Sequence, residues 1–131
     1  MEIRIDHVAL WVADLELARD FYCGYFALDA GPLYRNEVKG FTSYFLADAD
    51  GGARLEIMHR VDVVAGSTGR DLREGWTHIA FRIGSREAVD SLTERLRGDG
   101  FRVAGEPRLT GDGYYESVVE DAEGNRVELV A

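Results

Sequence analysis

The chain is poor in several residue types at once. Among its 131 residues there is one cysteine, Cys23, and there are two prolines, three histidines and a single lysine, Lys39. One cysteine excludes an intrachain disulfide and a cysteine-based zinc site, and it fits a reducing, cytoplasmic setting. No apolar run is long enough to suggest a membrane span. Met1–Asp6 has no basic region leading into an apolar stretch, so a secretory leader is not expected. Positive charge is also scarce: 15 Lys and Arg stand against 24 Asp and Glu, a net of -9. A field of that sign argues against nucleic acid or an anionic membrane as the main partner. What is present is ordinary for a globular protein, with 46% hydrophobic and 30% charged residues. The length matches one domain, residues 1–131, which buries roughly two-thirds of its unfolded surface.

The chain is written twice. Ile3–Val12 reads as a strand, and Asp14 as the N-cap of a helix reaching about Phe26, with Leu15, Ala18, Tyr22 and Tyr25 at three- and four-residue steps. Strand-like pieces follow at about Ala30–Arg35, Phe41–Ala47 and Ala53–Met58, the last two flanking the turn residues Asp48–Gly52. The second half repeats the order. Trp76–Ile83 reads as a strand. Ser85 caps a helix to about Arg97 carrying Val89, Leu92 and Leu96, and Gly98 and Gly100 stop it. Strands are predicted at about Phe101–Glu106, Tyr114–Glu120 and Arg126–Val130. Subtraction supports the alignment: 78 − 7 and 85 − 14 are both 71, while 124 − 52 and 126 − 54 are both 72. The expected fold is therefore α+β, two tandem βαβββ modules (about 1–58 and 76–131) joined by a polar connection over about His59–Gly75.

Strand alternation sorts the side chains. Val8, Leu10 and Val12 share the face expected to cover the helix, opposite His7, Ala9 and Trp11. In the second copy Ile79, Phe81 and Ile83 oppose His78, Ala80 and Arg82. On the last strands, Leu55 and Ile57 oppose Arg54, Glu56 and Met58, and Val127 and Leu129 oppose Arg126, Glu128 and Val130. Each module thus places one His on its first strand and one Glu on its last, on the face away from the helix. Two imidazoles and two carboxylates suit a divalent metal: Zn, Ni, Co, Mn or Fe(II). A single such residue is usually structural; the same pairing at the same repeat position in both copies is what points to a site. Asp6 is read as a surface charge, because alternation points it away from His7. Cys23 reads as a small core residue, and Phe41, Tyr44 and Phe45 as core or pocket wall.

The segments IDHVALWVADLELARDFY, GFTSYFL, ARLEIMHR, THIAFRIGS and GDGYYESVVEDAEGNRVEL resemble the vicinal oxygen chelate superfamily, which includes glyoxalase I, methylmalonyl-CoA epimerase, extradiol dioxygenases and bleomycin-binding proteins. The resemblance covers nearly the whole chain. It implies a cup-shaped mixed sheet with helices on its outer face, in many members completed in a homodimer. It places His7, Glu56, His78 and Glu128 on the four metal-ligand positions, with Ni, Co or Zn favoured. Glu at position 56 is similar to glyoxalase I, where epimerases usually carry Gln. Four intact ligands count against an extradiol dioxygenase and against a metal-free bleomycin binder. Two positions depart from the glyoxalase I pattern: Trp11 stands where an Arg commonly holds the glutathione carboxylate, and Arg60 replaces an Asn after His59.

The function expected from this resemblance is a glyoxalase I-like lyase or isomerase acting on a small α-oxygenated carbonyl, with the methylglyoxal–glutathione hemithioacetal as one candidate substrate. Glu128 is the favoured base, with Glu56 serving the other face of the substrate. Arg60, Arg82, Trp11 and Tyr115 are the candidate substrate contacts, Arg for its forked donors and Tyr115 as part of a pocket rim after Gly111–Gly113. The alternative is a module of the same superfamily that binds a small molecule or antibiotic without lyase activity.

Overall fold

The computed structural model describes residues 1–66 and 74–131. Part of the connection expected over His59–Gly75 falls on 67–73, outside the described residues. The chain divides into two compact units, Met1–Gly66 and Ser67–Ala131.

Unit 1 runs β1 (His7–Trp11), α1 (Leu15–Phe26), β2 (Asp29–Ala30), β3 (Tyr34–Asn36), β4 (Phe41–Ala47) and β5 (Arg54–Arg60). Its sheet order is β1-β5-β4-β2, with β3 also paired to β4. The β1–β5 pair is parallel, and β4 is antiparallel to its partners. Unit 2 runs β6 (His78–Arg82), α2 (Arg86–Gly98), β7 (Val103–Leu109), β8 (Tyr115–Glu120) and β9 (Arg126–Val130), in sheet order β6-β9-β8-β7. Again the first and last strands are parallel and the rest antiparallel.

The helices form where the sequence supplies caps and an apolar stripe. Asp14 accepts a hydrogen bond from the Leu17 N–H at 2.9 Å, and Ser85 from the Ala88 N–H at 3.1 Å. Ala18, Phe21 and Tyr22 are buried from α1, which lies on β4 and β5. Val89, Thr93 and Leu96 are buried from α2, which lies on β7, β8 and β9. Thr93 is a polar member of that stripe. Its hydroxyl donates to the Val89 carbonyl at 2.6 Å and meets the Ser117 hydroxyl at 2.8 Å, so neither buried oxygen is stranded. Gly100, at φ +94, takes the left-handed conformation that ends α2, with the Phe101 N–H returning to the Leu96 carbonyl.

Several strand boundaries differ from the sequence reading. The first strand of each unit is shorter than Ile3–Val12 and Trp76–Ile83 suggested. Each has one parallel partner, and that partner begins only after a turn: His7 is level with Arg54, and His78 with Arg126. Earlier residues have no ladder to join, and Ile3 and Ile5 stay exposed. The single strand expected over Ala30–Arg35 is two short ones, broken around Pro32, which has no N–H to give. The strand after α2 extends to Leu109 despite Pro107. It is an edge strand, and its register with β8 shifts between Gly105 and Arg108, where a proline is tolerated.

Ile57 and Leu129, 72 residues apart, are both fully buried under the helix of their own unit. Truncating either to Ala removes the same contacts from equivalent cores. Ile57→Ala and Leu129→Ala should each cost about 2–5 kcal/mol. Urea denaturation followed by circular dichroism should show comparable falls in midpoint for the two; a loss confined to one would refute equivalent cores.

Candidate functional site

The parallel pairing of first and last strands builds each half of the site. In unit 1 the register sets Ala9 opposite Glu56, so His7 lies one pleat away on the same face. His7 Nε2 stands 3.6 Å from Glu56 Oε1. In unit 2 Ala80 is opposite Glu128, and His78 Nε2 stands 3.2 Å from Glu128 Oε2. The small alanine opposite each glutamate leaves space above the carboxylate.

The other ring nitrogen of each histidine has its own partner. His7 Nδ1 is 2.7 Å from Asp6 Oδ2, and the same oxygen accepts from Arg54 Nη2 at 2.8 Å. His78 Nδ1 is 2.7 Å from Thr77 Oγ1. A carboxylate accepts from a neutral imidazole only through a ring N–H, so a neutral His7 that donates to Asp6 through Nδ1 has Nε2 unprotonated on the Glu56 side. The His7 and Arg54 contacts also hold the Asp6 carboxyl below the usual carboxylate range. This corrects the reading of Asp6 as a surface charge. The strand begins at His7, so alternation does not govern residue 6, and its side chain turns back onto the imidazole.

The carboxylates differ in setting. Burial, followed by the neighbouring Glu116 carboxyl, pushes Glu128 up to about 7. Glu116 is itself buried, and its Oε2 has no partner. In unit 1 the buried, unpartnered polar atom is Ser43 Oγ. Phe45 pairs with Glu56 and Val118 with Glu128, so Ser43 and Glu116, each two residues earlier, hold equivalent positions on the His–Glu face. The sequence reading missed both; the repeat, once extended to the middle strands, was the signal that marked them.

The remaining expected contacts separate. Trp11 lies on the His7 face, its ring edge-to-face with Phe41 at 6.0 Å. Phe45 lies there too, edge-to-face with the His7 ring at 5.2 Å. Tyr44 does not: it is buried on the helix side, where its hydroxyl donates to Glu16 at 2.7 Å. Arg60 is held by Asp62 through Nε at 2.9 Å and Nη2 at 2.8 Å. Arg82 shares the His78 face and donates to the backbone oxygen of Ala131. Tyr115 is turned to the other face, where its hydroxyl donates to Asp90 of α2 at 2.6 Å and Arg86 lies over its ring. That placement removes Tyr115 from the company of Glu128. The third histidine, His59, hydrogen-bonds the Val12 carbonyl at 2.9 Å and ties the end of β5 to the chain leaving β1.

The donor set fits a divalent metal by its chemistry. Each unit offers an imidazole Nε2 beside a carboxylate, with Nδ1 already engaged. Among the described residues no group of three or more His, Cys, Asp or Glu side chains is gathered closely enough to hold a metal; the donors stand as two pairs, one per unit.

A family model described as the Glyoxalase/Bleomycin resistance protein/Dioxygenase superfamily matches residues 4–129. The chain belongs to this superfamily. It is 34% identical over 128 residues to a Bacillus subtilis protein named uncharacterized protein YqjT, covering 95% of this chain and 96% of that one. It is similar to a Bacillus cereus structure titled a possible glyoxalase, with 30% identity, a TM-score of 0.72 and coverage of 99% and 100%. The trypanothione-dependent glyoxalase I of Leishmania major shares the fold at a TM-score of 0.78 and 21% identity, over 98% of this chain and 86% of that one. The mixed α+β architecture of the superfamily is thus the architecture of this protein. Among the described residues no helix is long and apolar enough to cross a membrane.

The Asp6–His7 contact makes a prediction independent of any metal. Asp6→Ala should shift the His7 tautomer population, read as changed ¹⁵N shifts of Nδ1 and Nε2 in the metal-free protein. Asp6→Asn, which keeps an accepting oxygen, should hold the native pattern. Unchanged His7 shifts in Asp6→Ala would show that Asp6 does not set the tautomer.

Proposed function

We propose that His7, Glu56, His78 and Glu128 ligate one divalent metal (Ni, Co, Zn, Mn or Fe, with Ni, Co or Zn favoured). We propose further that the protein is a glyoxalase I-like lyase or isomerase of a small α-oxygenated carbonyl compound. The observation that supports this most is the recurrence of the His–Glu pair: both copies keep it at the same register, each with Nε2 toward the carboxylate. Random surface placement gives no reason for that agreement, whereas a shared ligand does.

When bound, the cation supplies a Lewis acid that stabilises negative charge developing on the substrate's oxygens. The rest falls to the chain's own side chains. Glu128 takes the proton from the carbon beside the carbonyl and returns it to the neighbouring carbon, and Glu56 serves the opposite face. His7 and His78 hold their positions through Asp6 and Thr77. Glu116, itself buried, flanks Glu128 and helps raise its affinity for the proton. The reading includes a small-molecule substrate, with the glutathione hemithioacetal as the first to assay, a cytoplasmic setting and a homodimer. Exposed Ile3, Ile5 and Val61 are apolar side chains that a second copy could cover.

Elemental analysis of protein purified without chelators tests the metal directly. Metal should be present or loadable, and His7→Ala or His78→Ala should weaken its retention at least about tenfold. A chain that neither carries nor takes up a divalent cation would leave the binding-module alternative. In the loaded protein Glu128→Gln should lower turnover of an α-oxygenated carbonyl substrate by about 10²–10⁴ while metal is still bound. Undiminished turnover would remove Glu128 from the role of base.

A further inference from the structure

The His7 and Glu56 face continues as a row of rings. Phe45, edge-on to His7, is followed along β4 by Ser43 and Phe41. Phe41 meets Trp11 of β1 at 6.0 Å and Tyr34 of β3 at 5.9 Å. Met58, level with Trp11 on one side and Ser43 on the other, fills the strand between. Alternation points Trp11, Met58, Phe41 and Phe45 to the side that bears the pair, since Leu10, Ile57, Tyr44 and Leu46 take the helix side. The outer rings are open: Trp11 is 45% and Tyr34 54% exposed. Large rings left in water beside a polar site mark a place where apolar surface is to be covered.

The charges on this face are already committed. Arg54 is bound to Asp6 and lies 4.3 Å over the Phe45 ring. Arg60 is held by both oxygens of Asp62. Among the described residues of this face, both guanidiniums would have to break an ion pair to receive a peptide carboxylate. Among the described residues of this face, one buried polar side-chain atom has no partner: Ser43 Oγ, in a residue 1% exposed, between Phe41 and Phe45 along β4. A buried hydroxyl in that position gains by a hydrogen bond from a ligand seated among the rings.

Reach sets the shape of the ligand. Trp11 lies four residues from His7, about 13 Å along the strand. A substrate whose oxygens meet His7 and Glu56 therefore arrives at Trp11 only if its ring stands several bonds from those oxygens. Resting on the proposed role of the His–Glu pairs, we infer that this site takes an α-oxygenated carbonyl compound carrying an aromatic body on a short spacer, and not a glutathione conjugate.

The test uses the Trp76→Phe protein, in which Trp11 is the tryptophan that remains. Trp76 is 91% exposed and lies outside the row. The probes are four α-hydroxy acids with one chelating head: lactate, mandelate, 3-phenyllactate and 2-hydroxy-4-phenylbutyrate. They are titrated with and without bound metal, by Trp11 fluorescence and calorimetry, alongside S-methylglutathione. Affinity should rise with ring reach, the longest acid binding about tenfold tighter than lactate and altering Trp11 emission. Trp11→Ala, read by calorimetry, and Tyr34→Ala, both at exposed positions, should each bring that advantage below about threefold. S-methylglutathione should bind no tighter than lactate. Equal affinities along the series, no binding by any acid, a ring advantage that survives both variants, or S-methylglutathione binding tighter than the longest acid each overturn the inference. Metal uptake with a flat series sinks this inference and leaves the metal reading. A Trp11-dependent ring preference in a chain that takes up no metal does the reverse.

Discussion

Everything specific about this protein rests on the parallel pairing of the first and last strands within each unit. A parallel pair needs a long crossover, and here the helix and the middle strands supply it. The pairing places an alanine opposite a glutamate, Ala9 with Glu56 and Ala80 with Glu128, and a histidine one pleat further on. A one-residue slip in either register would send the histidine or the glutamate to the helix side, among Ile57 or Leu129. The buried helix face is therefore what holds the polar face in register. The Val12 N–H to the Met58 carbonyl and the Ile83 N–H to the Val130 carbonyl, both 2.8 Å, lock the far end of the two pairings in the same way.

Much of this was legible in the chain. Alternation on β1, β5, β6 and β9 gave the two faces correctly, because each strand has a clean apolar side under a helix. The caps Asp14 and Ser85 fixed the helix starts. What was not legible depended on partners distant in sequence. The starts of β1 and β6 are set by where β5 and β9 begin, and nothing local in Ile3–Asp6 or Trp76–Thr77 reports that. Asp6 was misjudged for the same reason, since alternation applies only inside a ladder. Tyr115 looked like a rim residue from the glycines before it, yet its parity on β8 puts it with Ser117 against α2. Phe21 and Thr93 joined the buried stripes although the periodic reading chose Tyr25 and Leu92; a helix face is wider than one row of positions.

The two copies kept their donors and let the surroundings diverge. Where unit 1 has Ser43, unit 2 has Glu116; where unit 1 has Phe45, unit 2 has Val118. Where Asp6 and Arg54 secure His7, Thr77 alone is within reach of His78 Nδ1 among the contacts at that ring. A carboxylate accepts from Nδ1 more strongly than a hydroxyl does, which makes His7 the more electron-rich imidazole of the two. Unit 2 instead concentrates carboxyl groups, with the buried Glu116 beside Glu128.

The two units thus surround the same His–Glu pair with different chemistry. In unit 2, burial beside a second carboxyl raises Glu128. Unit 1 instead carries open rings beside its pair. Neither copy has both. Glu116 could not replace Ser43 without setting a carboxylate under the aromatic row, where no described cation is uncommitted to balance it. A ring row could not replace Glu116 without removing the neighbour that raises Glu128. The repeat keeps the His–Glu geometry because the strand register enforces it, and it frees the positions one pleat away to carry different chemistry.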